Sequence, residues 1–140
     1  MDLFWKEAER WLRQAEYDLK AAEWCVQGGF FAHATFWAQQ SATKSLRAFL
    51  FLCKEDARET RSVVDLLDRA LVYEEGFKSF VSSSRRLDIY YKTSRFPDAL
   101  PGGVPAEVIS DRDAVEAVRQ AADILEVIEK RRKGYLPESL

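Results

Sequence analysis

Histidine occurs once, methionine once and cysteine twice in 140 residues. One histidine cannot build a His-rich metal site, and Cys25 and Cys53 form no Cys-x-x-Cys pair. Zinc and haem proteins are therefore set aside, and no cofactor is expected. Two cysteines are also too few for a disulfide scaffold. No signal-peptide pattern opens the sequence, so the expectation is a cytoplasmic protein with free thiols. Four prolines and six glycines are few, which disfavours a turn-rich β-sandwich and favours long regular elements. Neither sign of charge dominates. The 21 basic and 23 acidic residues leave a net charge of −2, which excludes a generally basic nucleic-acid coat but leaves room for a local basic patch. No Gly-rich phosphate loop, GxSxG or HExxH motif occurs. Cys25 and His33 straddle a Gly-Gly turn, but no third group orients them as a nucleophile pair.

The uncharged stretch 24–43 is as long as a bilayer span. Gln27, Gly28, Gly29, His33, Gln39 and Gln40 interrupt it, so it reads as a helix end, a turn and a helix start, with no membrane role.

Helical periodicity dominates what is present. In residues 2–27, apolar groups recur at steps of three and four through Trp5, Ala8, Leu12, Ala15, Leu19 and Ala22, with Asp2 as N-cap and Gly28-Gly29 as the stop. A second helix over residues 30–53 carries Phe31, Ala34, Ala38, Ala42, Ser45, Phe49 and Leu52, small enough in the middle for close approach. Phe30, Phe36, Trp37 and Phe51 lie off that stripe and ask for cover by a second copy, which predicts a homodimer. A charged connection, residues 54–61, leads to a short helix capped by Ser62. A fourth helix spans residues 77–93, and a last one, capped by Ser110 or Asp111, ends in Lys130-Arg131-Arg132-Lys133. Residues 94–110 hold Pro97, Pro101 and Pro105 and read as one long non-helical connection. The sum is an all-α, up-and-down bundle of four to five helices, with one domain over residues 1–134 and a disordered tail over 135–140.

Two places invite chemistry. Gln40 and Lys44 sit one turn apart on one helix face, where an amide and an ammonium suit a phosphate or a partner carboxylate. The run 85–98 combines Arg85, Arg86, Lys92 and Arg95 with Tyr90, Tyr91 and Phe96. Guanidinium groups bind phosphate and rings stack on bases. The same residues equally suit a structural junction in which Arg95 pairs with Asp98 or Asp88.

Three blocks carry a family resemblance: residues 11–19 (WLRQAEYDL), 38–46 (AQQSATKSL), and Leu87-Asp88 through Tyr91 to Thr93-Ser94-Arg95-Phe96-Pro97-Asp98-Ala99. Across roughly residues 5–130 the chain resembles small prokaryotic HEPN-domain proteins. That resemblance implies a dimeric bundle of four or five helices, a minimal nucleotidyltransferase as partner, and a place in a toxin–antitoxin type module. It also implies binding of a nucleotide or RNA, with Gln40, Lys44, Tyr91, Arg95, Pro97 and Asp98 at family-pattern positions. Arg86 and Lys92 join these as phosphate-binding candidates from the basic run. Family members that cleave RNA use an Arg and a His separated by four to six residues. Here Arg85 and Arg86 precede Tyr90 and Tyr91 at that spacing, and a tyrosine with an ordinary pKa near 10 is a poor base. The reading therefore leans toward a non-enzymatic binding component. Its alternatives are a metal-independent ribonuclease toxin with an altered Arg/Tyr site, or a structural helical dimer.

Overall fold

A computed structural model describes residues 3–137. Its helices are α1 (Leu3–Gln27), α2 (Phe31–Leu52), α3 (Val63–Ala70), α4 (Val81–Thr93), α5 (Pro105–Val108) and α6 (Asp111–Arg132). Short 3-10 turns lie at Glu75–Phe80, Pro97–Ala99 and Lys133–Tyr135, and no strand occurs among the described residues. Among the described residues the all-α bundle of four to five helices that the periodicity predicts is present, with the four-residue α5 as a sixth helix. The proposed cap Asp2 lies outside the described residues.

Helix α1 turns back into α2 through Gly28-Gly29, where Gly29 takes a φ of +80° that a side chain would strain. Small residues make α2 the central element. Ala34, Ala38 and Ala42 are fully buried, and Ser41 Oγ donates to the Ala15 carbonyl of α1 at 2.8 Å. A helix without bulk at those positions lets another backbone come close, and α1, α3, α4 and α6 all pack on α2. Leu12, Ala15, Ala38, Ala42, Phe49 and Leu125 are buried as the stripes predict, while Trp11 and Leu19 sit half-buried at the core edge.

The off-stripe rings find different surroundings. Phe51 is buried beside Ala8 and Leu52 within the same chain, and Phe36 packs edge-on against Trp37 at 5.2 Å. Phe30 stays 62% exposed.

Two segments depart from the expected pattern. Residues 94–110 are not wholly non-helical: Pro97 and Pro105 each open a short helical piece, because proline fixes a helical φ and the first turn needs no N–H from it. The expected tail is also partly ordered. Tyr135 packs edge-on against Phe49 at 5.3 Å, and its hydroxyl donates to Glu74 at 3.2 Å. Burying that ring outweighs fraying; residues 138–140 lie outside the described residues.

At the α1–α6 seam, Glu129 shares a hydrogen bond with Glu16. Burial first, and then Glu16, push the Glu129 carboxyl above the usual glutamate range. The folded state therefore holds this proton more tightly than the unfolded chain. The resulting stability is fully present below the unfolded pKa and is lost as pH rises through the raised folded value. Glu129→Gln is expected to melt higher than the parent at pH 7 and to lose that advantage at pH 4. Equal melting differences at both pH values would remove the seam from the account.

Candidate functional site: a basic, ring-lined recess

Residues 36, 40, 43, 44 and 47 follow one another at helical steps, so Phe36, Gln40, Thr43, Lys44 and Arg47 share one face of α2. Trp11 of α1, Tyr91 of α4, and Arg58 and Arg61 from the α2–α3 connection close over that face. Together they line a recess of about 280 Å³. Four cations and three aromatic rings meet there, in a chain whose net charge is −2.

The carboxylates nearby are engaged. Lys44 pairs with Asp18, which is 2% exposed and also accepts from Gln14 at 3.0 Å. Asp56 is gripped by Arg58, and Glu59 pairs with Arg69 at 2.6 Å. Arg47 and Arg61 make no ion pair among the described residues. The Arg47 guanidinium lies 4.7 Å from the centre of the Trp11 ring and donates to the carbonyls of Ala57 and Thr60. Burial first, and then the Arg61 cation, pull Arg47 below its usual value. A guanidinium nonetheless stays charged at neutral pH, so the recess keeps an excess of positive charge.

Two polar side chains, buried Gln39 and half-buried Asp88, hold the connection that carries Arg58 and Arg61. Gln39, fully buried, donates its amide to the Arg61 carbonyl at 3.1 Å and to Asp88 at 3.2 Å. Asp88 accepts from Ser62 Oγ at 2.7 Å and from the backbone N–H groups of Val63 and Val64 at 2.8 and 2.9 Å. A carboxylate from α4 thus caps α3, where the unpaired N–H groups and the helix dipole favour negative charge. Ser62 also caps α3 by accepting from the Asp65 N–H.

The seven residues proposed from the sequence do not form one cluster. Gln40, Lys44 and Tyr91 line the recess. Arg86 faces a separate open cleft of about 740 Å³ between α4 and α6, with Tyr90, Arg112 and Gln120 on its walls. Arg86 lies within α4 whereas Arg95 lies beyond its last residue, Thr93, and the two have different surroundings. Arg95 donates Nε to the Tyr91 carbonyl at 2.9 Å and lies 4.3 Å from the Phe36 ring centre, with Tyr91 and Phe96 close by. It pairs with neither Asp98 nor Asp88. Lys92 and Asp98 are exposed.

Arg47, Arg58 and Arg61 are absent from the sequence-based set. Arg47 continues the Gln40/Lys44 face by one turn, a signal that the sequence carries. Arg58 and Arg61 are placed by tertiary bonds that no local spacing reveals. Tyr90 lies four residues after Arg86 in the open cleft, and burial raises its phenol above the usual value. That suits it poorly to act as a base. In the turn pair, burial raises the Cys25 thiol, which disfavours the thiolate, and His33 is exposed and stacked on Phe30.

The fold and the recess define an all-helical bundle with a cationic pocket on its central helix. Residues 8–131 match the HEPN domain, and the chain belongs to that family. It is similar to TT1696 from Thermus thermophilus, with 31% identity over 94% of this chain and 99% of that one and a TM-score of 0.85. It is also similar to ST0689, an archaeal HEPN homologue, with 30% identity over 89% and 97% of the two chains and a TM-score of 0.75. No curated protein matches. Among the described residues no helix is long and apolar enough to cross a membrane.

Asp88→Ala is expected to destabilise the protein by about 3 kcal/mol, the scale of a lost cap plus buried donors left unpaired. Urea unfolding checks it. A loss below about 1 kcal/mol would mean that water replaces the carboxylate without cost.

Proposed function

We propose that this HEPN protein is a binding component whose recess takes a phosphate-bearing ligand, a nucleotide or the end of a short RNA. One observation carries the reading: Lys44, Arg47, Arg58 and Arg61 converge on a recess walled by Trp11, Phe36 and Tyr91. Guanidinium groups bind phosphate in bidentate fashion, and a base gains from stacking on a ring. In this reading Arg61, free of a carboxylate, makes the first contact, and Gln40 supplies an amide beside it. The protein works as a homodimer alongside a minimal nucleotidyltransferase in a toxin–antitoxin type module, the setting that resemblance to HEPN proteins of that kind suggests. The raised phenol of Tyr90 supports binding over RNA cleavage.

Titration with ATP tests the site. Affinity is expected to fall with salt and to drop about tenfold in Arg61→Ala, the scale of one charge-assisted hydrogen bond. Arg61 is exposed, so that variant is expected to melt like the parent. Unchanged ATP affinity in Arg61→Ala would overturn the recess as the site. A second assay addresses catalysis: RNA incubated with the protein is expected to stay intact, as it does with Arg86→Ala. Cleavage that disappears in Arg86→Ala would establish the nuclease reading instead.

A further inference from the structure

Independently of the recess, we propose that the outer face of α1 is a docking surface for an acidic, amphipathic helix of another protein. Lys6, Arg10, Arg13, Tyr17, Lys20 and Trp24 follow one another at steps of three and four, all of them exposed. They form one row directly opposite the buried positions Ala8, Leu12, Ala15 and Ala22. The row holds four cations and two rings and no carboxylate. None of the six lines the recess.

The rings set this row apart from an ordinary solvated face. Tyr17 is 70% and Trp24 71% exposed. Single exposed apolar side chains are common, but two large rings aligned with four cations combine the residue types that anchor interfaces. Shallow grooves run on both sides of Arg10 and Arg13. One, about 690 Å³, lies toward Arg58, and the other, about 440 Å³, toward Trp5 and Glu9. Of the acids beside the row, Glu9 turns away to pair with Arg132 at 2.8 Å, while Glu7 pairs with the row's own Arg10 at 2.7 Å, so Lys6, Arg13 and Lys20 are the cations without an ion pair among the described residues.

The spacing selects the occupant. Lys6, Arg13 and Lys20 repeat every seven residues, about 10.5 Å along the axis, and Arg10, Tyr17 and Trp24 repeat at the same interval. A second helix lying alongside repeats its own side chains at that interval, so carboxylates seven residues apart meet successive cations while apolar groups cover the rings. A flat anionic membrane would also meet Glu16 and Glu23, which lie about a quarter-turn or more from the row and are exposed. A single helix is narrow enough to avoid them.

The probe is a labelled three-heptad peptide with Glu and Leu at the facing positions, beside a scrambled peptide of the same composition. The full chain is expected to bind the ordered peptide, and Arg13→Glu with Lys20→Glu is expected to weaken it about tenfold or more. A peptide with Lys in place of Glu is expected to bind that double variant, which a folding defect would not produce. No binding, equal binding of the scrambled peptide, or indifference to the double variant would overturn the proposal. So would tighter binding through the same residues to oligothymidylate or to phosphatidylserine–phosphatidylcholine vesicles.

Discussion

Arg47 brings a charge onto the buried side of the central helix, and the α2–α3 connection is folded around it. At 6% exposure it lacks the water that would normally solvate a guanidinium, so its donors must find carbonyls. Ala57 and Thr60 supply them. Gln39 and Asp88 extend the arrangement by holding the Arg61 carbonyl and the start of α3. One set of polar side chains thereby fixes the connection, caps a helix and aims two further arginines into the recess. Substituting any member leaves a polar neighbour without its partner, which makes the set mutually dependent.

The long helices are legible in the sequence because their apolar positions repeat at helical steps and their ends carry recognisable signals. Ser110 caps α6 with a full capping box, and Gly29 ends the α1 turn with positive φ. The connection over residues 54–61 is not legible in that way. Its order comes from Arg47, ten and thirteen residues upstream of the carbonyls it meets, and from Asp88, more than twenty residues downstream of α3's first N–H groups. The charged string KEDARETR conveys only solubility. The same limit explains Arg95. Its place in the Arg-Phe-Pro-Asp run suggests phosphate, whereas the folded chain lays it over three rings and back onto the Tyr91 carbonyl.

A nearly neutral chain can still hold strongly signed surfaces. The acidic excess is spread over many local pairs, such as Glu116 with Arg119 and Glu126 with Lys130. Exposed pairs of that kind contribute little stability and neutralise their own neighbourhoods. The cations that keep no such partner among the described residues, Arg47 and Arg61 in the recess and Lys6, Arg13 and Lys20 on α1, then give these two surfaces their sign. Composition averages over these regions, and so hides them.

Side chains from α2 and α4, and not the connection's own residues, order the segment that builds the recess. Native-state hydrogen exchange at the Val63 and Val64 amides tests this most directly, since both donate to Asp88. The account requires protection comparable to that of the α2 core, falling to near solvent rates in Gln39→Ala while α1 and α6 keep theirs. Rapid exchange at both amides in the parent protein, or protection unchanged in Gln39→Ala, would contradict it.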